Sequence, residues 1–328
     1  MEGTENRMTI GVNISHNASI CIKEDNSVEY YEEDRFNKIK NWAPAADNFK
    51  YLSFSKIKNF KSNFVFTSYG RYDEDDLIII DKICKKYNIN NWIFDKAEHH
   101  LYHACSGFYM SPFNEAFCIV IDGGGARLVD STMNPLFKNS HQEMDSIYFI
   151  NKKKIINLYK SYSNARYSIL YSNFKQKKKL KQLIILKQKN YLDEFFIKNE
   201  TEYRLTNTYN PGLLFNHLCA TISLNFNGFH EAGKAMGLSA YGKNHGYRDE
   251  DLAKQVQKET EKYTIDLIEK ALVMSNCKNI ILSGGYALNC VNNYKYTQYF
   301  KNINFFIDPC AHDGGTALGG AVWYDHYR

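Results

Sequence analysis

The chain opens on short apolar stretches separated by polar turns. "TIGVNIS" runs into a polar cluster, "SICIKED" alternates apolar and polar positions, and "DNS" supplies a turn before "VEYY". Successive side chains of a strand point to opposite faces, so this spacing predicts three short strands joined by tight turns. "NFVFTSYG" and "NWIFD" predict two more. A helix is then expected over "EHHLYHACSGFYMSPF", residues 98–113, closed by Ser111-Pro112.

The opening pattern then returns. "AFCIVIDGGGARLVDS" reads as an apolar strand, a glycine turn and a second strand, and "SIYFINKKKIIN" would complete a second trio. The chain therefore looks like two copies of one strand-turn-strand unit, a similarity of pattern rather than of residues. The last third alternates clearly: a helix over roughly Asp251–Ser275, a buried strand "NIILSGG", a helix from Tyr286, a strand "NINFFID", and a glycine-rich helix in "DGGTALGGAVWYDHY". Strands alternating with helices define an α/β lobe. A first lobe over 8–115 and a second over 116–328 follow. Residues 150–205 fit neither lobe: "NFKQKKKLKQLIILKQKN" is basic and reads as a helical, solvated insertion, with a lid or an acidic-partner dock as the competing use.

Composition narrows the classes. At 328 residues the chain is long enough for two cores, and 44% hydrophobic with 15% aromatic residues is a globular balance. A net charge of +5, from 41 basic and 36 acidic residues, gives no reason to expect nucleic acid. Eight cysteines without a C-x-x-C pair, set among apolar neighbours, read as free buried thiols of a reducing compartment. The leader "MEGTENR" (1–7), short and polar, reads as a leader or tag before a domain that starts near Met8. No apolar run approaches the ~20 residues of a membrane span. A cytoplasmic protein is expected.

Candidate chemistry gathers at the ends of strands. His99 and His103 stand four apart, which on a helix puts both imidazoles on one face, the spacing of two metal ligands. His100 points elsewhere. Asp122 ends an apolar strand before Gly123, Gly124 and Gly125, and Asp313 sits in "CAHDGGTALGGA". Carboxylates at such ends can meet a metal or phosphate, though Asp-Gly also serves turns alone. Gly284 and Gly285, between a buried strand and a helix, could present backbone N–H groups to an anion. Lys234, in the glycine-rich "FHEAGKAMGLSAYGK", could touch a phosphate. His16, in the turn "SHNAS", is suited to taking a proton from a hydroxyl. "EEDRFNKIK" reads as a solvated turn.

With these stretches in order, the chain resembles the O-carbamoyltransferases of nodulation-factor and antibiotic biosynthesis. "HNASICI", "EEDRFNKIK", "HHLYHACSGFYMSPF", "VIDGGGA", "EAGKAMGLSAYG", "SGGYALN" and "DGGTALGGA" carry the resemblance nearly end to end, the middle insertion excepted. It implies a two-lobed α/β fold of the actin and sugar-kinase class, similar to the threonylcarbamoyl-tRNA transferase domain. It also implies a divalent metal, usually Fe²⁺, held by His99, His103, Asp122 and Asp313. The implied reaction moves a carbamoyl group from carbamoyl adenylate, made from ATP and carbamoyl phosphate, to a hydroxyl of a sugar or small molecule. His16 would be the base. Gly123, Gly124, Lys234, Gly284, Gly285 and Asn289 would hold the adenine nucleotide.

Departures accompany the match. The usual "HDAS" is "HNAS", His312 stands where a small residue is usual, and a basic-His ending is Lys40-Asn41. Family members continue into a YrdC-like domain that makes the adenylate, whereas this chain stops at Arg328, so a separate donor-forming domain or protein is expected as partner. Two other readings stand beside this one. A tRNA threonylcarbamoyltransferase would carry an "ETSCDET"-like first turn where this chain has "NISHNAS". A non-catalytic degenerate subunit would have no physical reason to keep the histidine pair.

Overall fold

Two sheets, each begun by a three-stranded antiparallel meander, organise the chain. The computed structural model describes residues 8–25, 27–69, 73–95, 98–126, 141–164, 193–226 and 229–328. In the first sheet β1 (Met8–Asn13), β2 (Ser19–Glu24) and β3 (Ser27–Glu32) are followed by β4 (Asn63–Thr67) and β5 (Trp92–Phe94), in the order β3-β2-β1-β4-β5. β4 and β5 run parallel to β1. Parallel neighbours need a crossover, and α2 (Asp73–Tyr87) supplies it between β4 and β5.

The second sheet repeats this plan. β6 (Glu115–Ile121), β7 (Gln142–Asn151) and β8 (Ile155–Ser163) form the meander. β9 (Glu194–Lys198) and β10 (Thr201–Thr206) extend its edge. A small hairpin follows, β11 (Asn225–Phe226) with β12 (Phe229–His230). β13 (Asn279–Ser283) and β14 (Asn304–Ile307) then pair parallel to β6, giving the order β14-β13-β6-β7-β8-β10-β9. The five strands β14-β13-β6-β7-β8 thus match the first sheet position for position, with β10 and β9 added beyond β8. This is a mixed α/β arrangement built on two related sheets.

The cores follow the two sheets. One joins β1, β2 and β4 to α2 through Ile10, Ile20, Phe64, Phe66, Ile80 and Ile83, all fully buried. The other packs β6 and β13 against α4 (Pro211–Thr221) and α6 (Asp249–Met274), around Phe117, Leu218, Val256 and Ile280. Asn210 starts α4 as its N-cap, accepting from the Leu213 N–H, with Pro211 in the first turn.

The two closing helices are exchanged. α3 (His99–Met110) follows β5 in the chain, yet Ala104 and Phe108 pack on Cys118, Val120, Tyr148 and Ile281 of the second sheet. α8 (Gly315–His326) follows β14 and lies on β1, β2 and β4 of the first. Glycines permit that approach. A Cβ on Gly11 of β1 would stand 1.8 Å from the Ala317 carbonyl oxygen, and one on Gly319 would stand 1.7 Å from that of Tyr102. Gly11 of β1 and Gly319 of α8 are therefore the conditions for the packing of α8 on β1 and on α3.

Several expectations change. "SIYFINKKKIIN" spans two strands, β7 and β8, while the strand expected from "ARLVDS" falls in 127–140, outside the described residues. Of the basic stretch, 165–192 lies outside them too, and its described flanks are strands, not helix. "EEDRFNKIK" is no solvated turn: Glu33–Asn37 forms a short helix, α1, and the buried Glu33 carboxylate accepts the Leu52 and Ser53 N–H groups at 2.6 and 3.0 Å. The helix expected from Tyr286 is a 3₁₀ turn over Gly285–Leu288, followed by α7 (Cys290–Tyr299). No helix among the described residues is long and apolar enough to cross a membrane.

Candidate functional site

Four buried residues that could ligate a metal meet at the start of α3, the end of β6 and the turn before α8. His99, His103, Asp122 and Asp313 each offer an atom, and these atoms lie within 4.8 Å of one another. The fold explains the meeting. The start of α3 brings both histidines, the end of β6 brings Asp122, and the turn before α8 brings Asp313. The Nε2 atoms of His99 and His103 are 3.2 Å apart, as one helical turn dictates. Asp122 Oδ2 lies 3.3 Å from His99 Nε2, and Asp313 Oδ1 lies 4.0 Å from the Nε2 of each histidine.

Outer contacts orient this set. His99 Nδ1 faces the Ser68 carbonyl at 3.2 Å, so an N–H there fixes the ring with Nε2 turned to the centre. The Gly285 N–H donates to Asp122 Oδ1 at 3.1 Å. That amide, expected to meet an external anion, meets the protein's own carboxylate. Gly284 makes this possible with φ of +84°, since a Cβ there would press on the Ile121 carbonyl. Asn210 fixes the Asp122 backbone: its Nδ2 donates to the Asp122 carbonyl at 2.6 Å, and also to Met144 O and Asp145 Oδ1.

The charges follow from burial and contact. For His99, burial opposes the charged ring, but the Asp122 hydrogen bond and the Asp313 charge outweigh it and raise its pKa. For His103, burial and then the neighbouring His99 hold the pKa well down, so this ring is neutral. Its Nδ1 has no hydrogen-bond partner among the described residues. Burial also opposes charge on Asp122, but the His99 hydrogen bond and the imidazoles around it keep it a carboxylate. Two imidazole nitrogens and two carboxylates, buried together, form a donor set that suits Fe²⁺, Mn²⁺ or Zn²⁺.

His16 joins this cluster through Asp313. Its Nε2 is 3.1 Å from Asp313 Oδ2, while Asp313 Oδ1 faces the histidine pair. The Asn17 amide oxygen lies 2.9 Å from His16 Nδ1, and the Tyr69 ring sits beside the imidazole. Asn17 holds a left-handed φ of 58° in the turn after β1. His312, next in line to Asp313, is clamped: Nε2 faces Glu32 at 2.9 Å and Nδ1 accepts the Gly314 N–H.

The expected nucleotide residues divide. Gly123 lies beside the Asn216 amide, and Gly124 has φ of 152°, both in the turn that carries Asp122. Asn289 is buried, and its side chain is engaged within the protein: it exchanges hydrogen bonds with Gln257 and caps α7 by accepting the Asn292 N–H. Lys234 stands exposed on α5 (Ala232–Leu238) and pairs with Glu231, which also takes Lys40 at 2.9 Å.

Sequence reasoning missed Asn210, Glu143, Ser146 and Lys160. Asn-Pro before "GLLFNHLC" is a helix-start signal that could have found Asn210. No local pattern marks Glu143, a fully buried acid paired with Lys160 at 2.9 Å.

Fold and site together define a two-lobed α/β protein with a buried two-histidine, two-carboxylate centre. The chain belongs to the carbamoyltransferase family: the model of the carbamoyltransferase N-terminus matches residues 21–322. An uncharacterized protein of Synechocystis sp. is 27% identical over 250 residues, covering 75% of this chain and 38% of that protein. The nodulation protein NolNO of Sinorhizobium fredii is 24% identical over 226 residues, covering 69% and 30%. The chain thus spans about a third of the length of the curated relatives it matches. Among solved structures, HypF of T. kodakarensis superposes with a TM-score of 0.57 at 12% identity, over 98% of this chain and 48% of that one. Full-length HypF in its phosphate- and nucleotide-bound form gives 0.53 at 14%, over 98% and 56%. These likenesses concern the fold.

Proposed function

We propose that this chain transfers a carbamoyl group from carbamoyl adenylate to a hydroxyl of a sugar or small-molecule acceptor. The observation that carries the reading is Asp313, whose two oxygens face the histidine pair on one side and His16 on the other. His99, His103, Asp122 and Asp313 would hold a divalent cation, Fe²⁺ by preference. When bound, that ion would supply Lewis-acid polarisation of the carbamoyl oxygen.

The chain's own residues then divide the work. His16 Nε2–H donates to Asp313, which fixes the ring and leaves Nδ1 as the basic nitrogen. The Asn17 amide oxygen stands 2.9 Å from Nδ1, a contact that needs an N–H there, so the acceptor hydroxyl would displace Asn17 and take its place before Nδ1 acts as base. Nδ1 takes the hydroxyl proton and the acceptor oxygen forms a bond to the carbamoyl carbon. The bond from that carbon to the phosphate oxygen breaks, and AMP leaves with the electron pair. The nucleotide would lie along the turns of Gly123–Gly124 and Gly284–Gly285. The donor, formed from ATP and carbamoyl phosphate, would come from a separate adenylate-forming domain or protein.

The test supplies preformed carbamoyl adenylate to the iron-loaded protein with a panel of sugars, aminoglycosides and nucleosides, and reads products by mass spectrometry. A carbamoylated product that requires His16 supports the reading. Neither product nor AMP release, in protein with full metal, overturns it.

A further inference from the structure

Two of the departures noted in the sequence are neighbours in space. Asn17 follows His16 and Asn41 follows Lys40, and Asn17 Nδ2 donates to Asn41 Oδ1 at 2.9 Å. At both positions an amide stands in place of an ionisable residue of the family pattern. Asn17 Oδ1 in turn faces His16 Nδ1 at 2.9 Å. The two amides therefore form a line that ends on the imidazole. Both are half-buried and the His16 side chain is 31% exposed, so the line borders solvent.

The surrounding backbone holds this line in place. Asn17 and Asn41 have left-handed φ of 58° and 56°, which asparagine tolerates better than most side chains. Asn13 Nδ2 donates to the carbonyls of His16 and Asn17 at 3.1 and 3.2 Å, and the Ala18 N–H donates to the Trp42 carbonyl at 3.0 Å. These bonds close the first turn and fasten it to the loop that carries Asn41. The nearby carboxylates are already engaged. Asp313 turns its two oxygens to His16 and to the histidine pair. Lys40 meets Glu231 at 2.9 Å, and Glu231 also takes Lys234 at 3.4 Å. Neither acid is left for a cationic ligand, and Lys40 would repel one.

Two amides suit one kind of ligand. A hydroxyl both donates and accepts, as an amide does, whereas an ammonium group only donates. A hydroxyl placed there exchanges its bonds to water for equivalent ones. An ammonium group loses hydration and gains no counter-ion. We propose that Asn17 and Asn41 read the acceptor, and that the acceptor is an uncharged polyol such as a neutral sugar, not an amino sugar. The inference rests on the carbamoyl-transfer reading and narrows its acceptor. The reacting hydroxyl takes the place of Asn17 before His16 Nδ1, and the neighbouring hydroxyl of the same sugar is held by the amides.

The experiment pairs glucose with glucosamine and galactose with galactosamine, at a pH that keeps the amine protonated. It measures kcat/KM for O-carbamoylation from carbamoyl adenylate by the iron-loaded protein. The wild type is expected to favour the neutral sugar of each pair by roughly tenfold or more. Asn17→Asp introduces a carboxylate that tolerates the same left-handed φ. Asn41→Asp does so while keeping an oxygen for the Asn17 N–H. Each is expected to move the ratio roughly tenfold toward the amino sugar, by an amount that shrinks at high salt. A change in the basicity of His16 cancels in the ratio, and metal content, measured alongside, is expected to stay level. A wild type that prefers amino sugars, a ratio that neither variant moves, or AMP release with no neutral sugar modified overturns the acceptor class and leaves the donor chemistry standing. Neither AMP release nor product in metal-loaded wild type removes the carbamoyl-transfer reading and this one with it.

Discussion

The two sheets share one strand order, yet the turns that end their first strands carry different chemistry. After β1 the turn presents His16, partly open to solvent and flanked by Asn17. After β6 the corresponding turn presents Asp122, buried and held by the Gly285 N–H and the Asn210 amide. One turn leaves an imidazole partly exposed, while the other buries a carboxylate that takes the Gly285 N–H and whose own backbone is held by Asn210. On the proposed function, the repeated strand plan would be divided into a proton-handling half and an ion-holding half. Asp313, at the start of the exchanged helix α8, is the residue common to both.

The sharpest test of that division is a pair of substitutions. Asp313→Ala is expected to bring metal content from about one per chain to near zero and to abolish transfer. His16→Ala should retain the metal while lowering kcat by roughly 10²–10⁴-fold. Elemental analysis with single-turnover kinetics checks both, and metal loss in His16→Ala would break the division. Next in size, Lys160→Met strands the Glu143 carboxylate in the core of the second lobe, with an expected cost of about 3–5 kcal/mol by denaturant unfolding. Gly319→Ala puts a methyl against the Tyr102 carbonyl where α8 crosses α3, with an expected loss of about 3 kcal/mol in the same measurement. Asn210→Ala removes the cap of α4 and the donor to the Asp122 carbonyl together. About 1–3 kcal/mol of stability and a measurable weakening of metal affinity are expected. Smallest of all, Lys40→Ala breaks an exposed pair with Glu231 that bridges the lobes, and should change stability by less than about 1 kcal/mol.

Much of this was legible before any coordinates. The alternation in "SICIKED" and the apolar run in "AFCIVID" gave the meanders away because period-two patterning has a direct steric cause. The i, i+4 histidines were legible for the same kind of reason, and they do meet both aspartates. The exchange of α3 and α8 was not legible, since local periodicity says which face of a helix is apolar but not which sheet will cover it. Nor was the engagement of Asn289: its residue type suited a nucleotide, but only tertiary contact shows that Gln257 and the start of α7 occupy it. Glu143 and Lys160 stayed hidden because each looks like an ordinary surface charge until the fold buries them together.

The helix exchange has a mechanical consequence. Where α8 crosses α3, backbone touches backbone at Gly319 and Tyr102, with no side chain between them to slide or reorient. Such a contact behaves as a pivot. Were one sheet to tilt against the other, displacement would grow with distance from the crossing and would be smallest at the start of α3 and the turn before α8. His99, His103 and Asp313 stand near that crossing along the chain, so their mutual spacing would be the part of the site least changed by such a tilt.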